Sequence, residues 1–184
     1  MRIIAGQWRG RVLKAPPGAS TRPTGDRTRE ALFSMLVSRL GSFEGLSVVD
    51  IFAGSGALGL EAMSRGATSC TFIDQDREAV KAIRANIEML AANAEVLPIA
   101  VSAIAPSRRA YDLLMFDPPY GSGGAGALLE KMTRLGWAAE GAWAAVETRN
   151  DENVSAEGWT LDVERTYGIA KLSVLYRTAR AQSD

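Results

Sequence analysis

The sequence predicts an α/β fold: a mostly parallel sheet of seven strands, closed by an antiparallel hairpin at its C-terminal end. From residue 46 onward, short apolar strands alternate with helical segments, which is the rhythm of a parallel sheet with crossover helices. The last two strands are separated only by Tyr167 and Gly168, a connection too short for a crossover helix, so they must pair antiparallel. A small β-hairpin precedes this sheet.

Each element has its own local signal. Apolar pairs flank the glycine-bounded segment 6–10, which predicts a short hairpin over residues 2–14. The next helix begins at Thr24 or Asp26, either of which can cap it, and ends at Leu40 before Gly41. Residues 1–25 should form an extension and residues 26–184 the main domain. Further helices are expected at 57–65, 76–92 and 125–135, and strands at 47–52, 69–73, 95–99, 111–116, 142–147, 159–166 and 169–178.

The composition limits the classes of protein. The chain has 184 residues, 47% of them apolar, no histidine and a single cysteine, Cys70. Disulfides within the chain, cysteine-based zinc sites and histidine general bases are therefore excluded, and no metal is expected. No run of eighteen apolar residues occurs, and the N-terminus lacks the apolar core of a signal peptide. We expect a cytoplasmic monomer that does not contact a membrane.

A glycine-rich turn after the first strand predicts a cofactor site. Residues 54–59 satisfy the pattern G-x-G-x-x-G, and Asp74 follows Gly54 by twenty residues at the end of the next strand, where its carboxylate could accept both ribose hydroxyls. This much fits NAD and S-adenosylmethionine equally. Asp50, inside the first strand, is a poor neighbour for a pyrophosphate but suits the cationic end of a methionine moiety, either directly or by orienting the turn.

A second motif, Asp117-Pro118-Pro119-Tyr120, follows the apolar strand at 111–116. If its strand neighbours the strand before the glycine turn, both motifs open into one crevice at the carboxyl edge of the sheet. The Asp117 carboxylate and the Pro118 carbonyl could accept both hydrogens of a planar amine, and Tyr120 offers a ring for an extruded base. Such a site would methylate an amino group mostly by orientation and proximity, without metal or histidine, and the proton could then pass to Asp117 or to water.

Charge is distributed unevenly. Residues 1–29 contain seven Arg or Lys against one Asp, whereas residues 30–184 contain fourteen against twenty. This asymmetry indicates that the N-terminal segment meets a polyanion, a solvated basic tail being the alternative. Phosphate contacts of this kind position a substrate without selecting a base. The candidate RNA-binding residues are Arg2, Arg9, Arg11, Arg22, Arg27 and Arg29.

Over residues 46–178 the chain resembles the class I S-adenosylmethionine methyltransferases, which have a Rossmann-like sheet with a C-terminal antiparallel hairpin. Four segments are more specific: residues 1–6, 10–13, 22–33 and 51–66. In that order they resemble the bacterial small-subunit ribosomal RNA guanine 2-amino methyltransferase family. The resemblance implies S-adenosylmethionine as donor, a guanine of 16S RNA as acceptor, and an assembling small subunit with its ribosomal proteins as partner.

The resemblance also implies roles for individual residues. Residues 52–56 would line the methionine part of the cofactor, Asp74 would hold the ribose, and Ser102 would lie beside the adenine. Arg22, Pro23 and Thr24 would lie near the pocket. The expected catalytic residues are Asp117, Pro118, Pro119 and Tyr120, and the expected cofactor-binding residues are Thr24, Asp50, Phe52, Ala53, Gly54, Ser55, Gly56, Asp74, Gln75, Ser102 and Ala103.

Three other functions remain open at this stage. The same aspartate motif is compatible with methylation of adenine, cytosine or a protein glutamine. An NAD-dependent oxidoreductase would share the glycine turn but would leave residues 117–120 unexplained. A non-catalytic RNA-binding module would keep the fold for its shape alone.

Overall fold

Strands and helices alternate along the part of the chain that the computed structural model describes, which is residues 1–18, 23–118 and 124–178, without the side chains of residues 23 and 24. The helices are α1 (Pro23–Leu40), α2 (Ala57–Ser64), α3 (Arg77–Leu90) and α4 (Ala125–Arg134). The strands are β1 (Ser47–Ile51), β2 (Ser69–Ile73), β3 (Ala94–Leu97), β4 (Tyr111–Phe116), β5 (Ala138–Arg149), β6 (Trp159–Tyr167) and β7 (Ala170–Arg177).

The seven strands form one sheet with the order β3-β2-β1-β4-β5-β7-β6. The pairs from β3 through β5 are parallel, whereas β7 pairs antiparallel with both β5 and β6. The predicted fold is therefore confirmed. Strand β1 lies at the point where the strand order reverses, with β2 on one side and β4 on the other, which is where doubly wound sheets bind ligands.

Each face of the sheet has its own apolar core. On one face, apolar side chains of α1, α2 and α3 pack around Phe33, Leu60 and Phe72. On the other, α4 contributes Leu129 and Met132 to a cluster that also contains Trp137. Because both faces are covered, the central strands are buried almost without interruption, as parallel sheets require.

The N-terminal segment, residues 1–18, pairs with itself but forms no regular strand. One antiparallel bridge joins Arg2 to Val12, and the Ile3 amide donates to the Arg11 carbonyl at 3.0 Å. Instead of extending into a longer ladder, the segment docks on α2. The amides of Ile4 and Ala5 donate to the Glu61 carboxylate at 2.7 and 3.0 Å.

Several boundaries differ from the sequence prediction, and the largest difference is at the start of β5. Strand β5 begins at Ala138 rather than residue 142, because its register with β4 shifts between Tyr111 and Leu113, so the extra residues around Gly141 are accommodated there. Strand β3 ends at Leu97, two residues early. None of the helices in the described ranges is long and apolar enough to span a bilayer.

Candidate active site

The carboxyl edge of the sheet brings the two predicted motifs together. Strands β1 and β4 are direct neighbours, with Ile51 opposite Phe116, and the Asp117 amide donates to the Ile51 carbonyl at 3.4 Å. Two cavities, of about 570 and 250 Å³, open at this edge. Both are lined by Phe52, Asp117 and Glu147. The glycine turn and the aspartate motif therefore share one crevice.

The turn after β1 is held in a strained conformation. Phe52 has φ 64°, a left-handed backbone that bulky side chains rarely adopt, and its amide donates to the Ile73 carbonyl of β2 at 3.0 Å. Asp74 fixes the next residues, because its Oδ2 accepts the Gly54 amide at 2.8 Å. Such strain persists only where the surroundings impose it, and it concentrates at functional sites. Ala53, Gly54 and Ser55 follow on the wall of the 250 Å³ cavity.

Gly59 shows why the third glycine of the pattern is needed. A Cβ there would lie 2.4 Å from Phe72 and 2.5 Å from the Cys70 sulfur. Helix α2 can therefore pack directly on β2 only because residue 59 has no side chain. The Gly59 amide in turn donates to Asp50 Oδ2 at 2.8 Å. Asp50 thus orients the turn. Gly56 precedes α2 as its N-cap residue.

Asp50 also has an unused acceptor. Its carboxylate is almost completely buried, and among the described residues its Oδ1 has no hydrogen-bond partner. Burial raises the pKa of Asp50 well above its ordinary value. The hydrogen bond from the Gly59 amide lowers this pKa, and the charges of Asp117 and Asp74 raise it further. The residue lines the cavity beside the glycine turn, where a cation would favour its ionised form.

Asp117 is exposed at the cavity, yet neighbouring protein atoms displace much of the water around its carboxylate. This desolvation, followed by the charge of Glu147, raises the pKa of Asp117 from 3.8 to about 7. Glu147 lies near the end of β5, next to the strand that carries Asp117. Pro118 is buried at the same cavity, while Pro119 and Tyr120 lie outside the described residues.

The predicted ribose and adenine positions lie along the larger cavity and a neighbouring one of about 330 Å³. Asp74 and Gln75 line the first together with Val101, and Ser102 lines the second. Ser102 belongs to a short 3-10 helix, Val101–Ala103, and its carbonyl accepts a hydrogen bond from Lys131 Nζ at 2.7 Å. Ala103 is exposed in that helix and lines none of these cavities. For Thr24, only its place in α1 is described.

The predicted arginines separate into two groups. Arg2, Arg9 and Arg27 line an exposed groove of about 330 Å³ between the N-terminal segment and α1, and Arg11 is exposed nearby. Arg29, the last of the predicted RNA-binding residues, is buried on the packed face of α1 rather than open to solvent. It is 6% exposed, and its guanidinium donates to the Arg2 carbonyl at 2.6 Å. Arg22 lies outside the described residues.

Arg29 belongs instead to the wall of the 250 Å³ cavity. Helical spacing places it on the same face of α1 as the buried Leu32 and Phe33, three and four residues later. Three further lining residues were not predicted from the sequence: Met1 lines this cavity, Val101 lines the larger one, and Glu147 lines both. The signal for Glu147 was available, because it ends an apolar run in a parallel strand, as Asp117 does.

The residues fit S-adenosylmethionine. The orphan Asp50 Oδ1 offers an acceptor to a cationic methionine moiety, and Asp74 and Val101 line a cavity of the volume that nucleoside-sized ligands occupy. The described residues contain no group of three or more His, Cys, Asp or Glu side chains placed to hold a metal ion. The fold and this edge of the sheet define a class I S-adenosylmethionine-dependent methyltransferase.

Comparison with known proteins gives the family. The family model described as Conserved hypothetical protein 95 matches residues 1–176, and the chain belongs to that family. Ribosomal RNA small subunit methyltransferase D of Escherichia coli (strain K12) is 38% identical over 100% of this chain and 93% of its own length. The protein of the same name from Haemophilus influenzae (strain ATCC 51907 / DSM 11121 / KW20 / Rd) is 34% identical, with 92% and 90% covered.

Solved structures agree. "Putative methyltransferase yhhF from Escherichia coli" has a TM-score of 0.83 and 37% identity over 98% of this chain and 99% of that one. Magnesium protoporphyrin IX methyltransferase from Synechocystis PCC 6803, solved with bound SAM, shares the fold with a TM-score of 0.64 and 16% identity, covering 84% of this chain and 80% of that one. The protein is a methyltransferase, its cofactor is S-adenosylmethionine, and the oxidoreductase alternative is not favoured.

Proposed function

We propose that the protein transfers a methyl group from S-adenosylmethionine to the 2-amino group of a guanine in small-subunit (16S) ribosomal RNA. The observation that carries this proposal is the position of Asp117, which follows β4 in the same crevice as the glycine turn that follows β1. The ribosomal RNA substrate is supported by the names of the relatives, and methylation of an amine by the motif that begins at Asp117. The choice of guanine is supported by the family resemblance of residues 1–6, 10–13, 22–33 and 51–66.

The residues act mainly by orientation. The amine of a base is a weak nucleophile because its lone pair is delocalised into the ring. Asp117 and the Pro118 carbonyl accept its two hydrogens and turn the lone pair toward the cofactor side of the crevice. When bound, S-adenosylmethionine would supply the methyl group: the N2 lone pair would form the new N–C bond, and the S–C electron pair would remain on sulfur as a neutral thioether.

Asp117 is also the candidate acceptor for the proton that N2 then loses. With a pKa of about 7, its carboxylate is a stronger base than an ordinary aspartate and is still largely ionised at slightly alkaline pH. The transfer of one proton to Asp117, and from there to water, balances the reaction. Desolvation, the largest cause of this raised pKa, follows from the position of Asp117 at the crevice.

The exposed arginines Arg2, Arg9, Arg11 and Arg27 are proposed to bind RNA phosphates. They lie on the N-terminal segment and the adjoining turn of α1, and three of them line one groove, although Asp26 and Glu30 also line it. Phosphate binding releases counterions, so each contact steepens the salt dependence of affinity by about one unit of slope. Replacement of residues Arg9 and Arg11 by Gln should therefore flatten that slope. An unchanged slope would contradict the assignment.

We further propose that the protein is a cytoplasmic monomer that acts on an assembling small subunit, with residues 1–25 as a separate extension.

The first experiment is transfer of tritiated methyl from S-adenosylmethionine to small ribosomal subunits lacking their native modifications, followed by nucleoside analysis. Label in 2-methylguanosine is the expected result. Label in adenine or cytosine would keep the mechanism and reject the base, and no label in RNA with cofactor binding intact would point to a protein glutamine or a binding module.

The matched control is Asp117→Ala. It should bind the cofactor and RNA as the parent protein does, because neither the glycine turn nor the arginine groove changes. Methyl transfer should fall by about 10²- to 10³-fold, as expected when a group that orients the reacting atom is removed. Retention of most activity would exclude Asp117 from the chemistry.

A further inference from the structure

Glu147 and Asp117 are lateral neighbours on the sheet. Phe116 of β4 is paired with Val146 of β5 in a parallel register, so the next residues of both chains come side by side on adjacent strands, which lie about 4.8 Å apart. Both side chains line both cavities of the crevice. Side chains at paired positions of neighbouring strands point to the same face of a sheet, which brings the two carboxylates together.

The cavity that this pair lines contains other buried polar atoms. Among the described residues, Asp50 Oδ1 and Arg29 Nε are buried without a hydrogen-bond partner, and both residues line the same cavity as Asp117 and Glu147. Buried polar groups without partners are rare, and each calls for a ligand or solvent. The crevice is thus lined for a polar ligand, and the two carboxylates are part of a larger binding surface.

The bases differ at the position next to their exocyclic amine. In guanine the ring nitrogen N1 carries a hydrogen, so N1–H and the 2-amino group form two adjacent donors. In adenine and cytosine, the ring nitrogen on the Watson–Crick side of the amine is an acceptor. A pair of carboxylates, which only accept hydrogen bonds when ionised, matches the guanine edge and opposes the other two.

We propose that Glu147 is a specificity-determining residue for guanine: its carboxylate accepts the N1–H of the base whose 2-amino group is held by Asp117. The inference rests on the proposed function and deepens it. In the absence of the base, two neighbouring carboxylates repel each other, in agreement with the effect of Glu147 on Asp117. A base that supplies a donor to each of them relieves this repulsion, whereas an acceptor at N1 would add to it.

The test replaces the methylated guanine of 16S RNA, once the labelled position has been mapped in the RNA, with 2-aminopurine in semi-synthetic subunits. This base keeps the 2-amino group but has an acceptor at N1. The parent protein should prefer guanine by about 10²-fold or more in kcat/KM, because a site built for a donor rejects a base that lacks it. Glu147→Gln can donate its amide to N1, so it should reduce that preference about tenfold or more.

A second readout does not depend on methyl transfer. The fluorescence of 2-aminopurine rises when the base leaves the stack, so its capture can be titrated with protein in the presence of S-adenosylhomocysteine. Glu147→Gln should capture 2-aminopurine about tenfold more tightly than the parent protein does. Glu140→Gln, an exposed residue near the other end of β5, is the matched control and should behave as the parent in both assays.

The outcomes separate the two proposals. If the parent protein methylates guanine and Glu147→Gln keeps the parent preference, the role of Glu147 is overturned and the proposed function stands. If the parent places no label in guanine, both are overturned. Should Glu147→Gln fail to fold, the parent protein alone decides: use of 2-aminopurine within about threefold of guanine excludes a required N1–H contact, and rejection of it supports the contact.

Discussion

Two buried carboxylates, Glu61 and Asp50, show how differently two neighbouring regions of this molecule are built. Glu61, in α2, is fully buried and its oxygens are satisfied: Oε2 accepts the Ile4 amide, and Oε1 accepts the Ala5 amide and Arg65 Nε at 2.8 Å. Asp50, in β1, accepts one amide and keeps a buried oxygen without a partner among the described residues. The first carboxylate fastens the N-terminal segment, and the second leaves an acceptor at the ligand crevice.

The difference extends to the backbone around each residue. The N-terminal segment near Glu61 gains further ties to α2, since the Trp8 amide donates to Ser64 Oγ, which itself donates to the Ala5 carbonyl. The turn beyond Asp50 contains the strained Phe52 instead. The N-terminal segment, which carries the exposed arginines, is held on α2 by complete hydrogen bonding. The turn after β1, which lines the crevice, combines an unsatisfied carboxylate with backbone strain, as functional sites often do.

The largest expected effect comes from breaking the satisfied carboxylate. Glu61→Ala leaves the amides of Ile4 and Ala5 and the Arg65 guanidinium without their acceptor, so the free energy of unfolding should fall by about 3 to 5 kcal/mol. For a chain of this length that lowers Tm by about 6 to 20 °C. Thermal unfolding measures it. A loss below about 1 kcal/mol would show that the segment is held by other contacts.

Next in size is a pair of glycine substitutions in the N-terminal segment. Gly6 and Gly10 have φ 84° and 83°, but a Cβ on Gly6 would lie 1.8 Å from the Ser64 carbonyl oxygen, whereas on Gly10 it meets nothing within 4 Å. Gly10→Ala should lower the free energy of unfolding by about 1 to 2 kcal/mol, the cost of placing an alanine in a left-handed backbone conformation. Gly6→Ala should also detach the segment from α2 and weaken RNA binding. Equal RNA affinities for the two variants would contradict this docking.

The convergence of the glycine turn and Asp117 could be predicted from sequence, because parallel strands place their carboxyl ends at one edge whatever their exact order. The same rule also covers Glu147, which ends the predicted strand at 142–147 but has no recognisable motif beside it. Arg29 was predicted to bind RNA because of its positive charge. Its spacing from Leu32 and Phe33 already indicated the buried face of α1, so helical spacing was the better guide to its position.

Other features had no signal in the sequence. Nothing local to Glu61 predicts that it accepts amides fifty-six and fifty-seven residues away, since a glutamate in a helix is ordinarily a solvated residue. The shift of register at the start of β5 depends on how β4 and β5 meet, which a single strand pattern does not encode. Long-range polar contacts and register are properties of the assembled sheet, so they become visible only in three dimensions.

A smaller effect is expected at the unsatisfied carboxylate. Asp50→Asn keeps an acceptor for the Gly59 amide and removes a buried charge, so thermal stability at neutral pH should be unchanged or higher. The affinity for S-adenosylmethionine should fall about tenfold, or 1.4 kcal/mol, because the variant lacks the charge for the cationic methionine moiety. Calorimetric titration with S-adenosylmethionine and S-adenosylhomocysteine tests it. Unchanged affinities would remove Asp50 from the cofactor site.

The smallest expected effect is the pH dependence of stability that Asp117 contributes. Because its pKa is about 7 in the folded protein and 3.8 in the unfolded chain, the folded protein binds more protons between those values. The free energy of unfolding therefore falls as pH rises from about 4 to about 7, and the contribution of Asp117 is constant above that range.

Asp117→Asn lacks this titrating group, so its Tm should exceed that of the parent by a margin that grows as pH rises from about 4 to about 7. Since Asp117 is accessible to solvent, screening should limit the margin to about 1 kcal/mol, or about 2 to 4 °C. Thermal melts of the apoprotein at pH 5 and pH 8 decide it: a constant difference between the two proteins would mean that the Asp117 carboxylate ionises in the crevice as readily as it does in water.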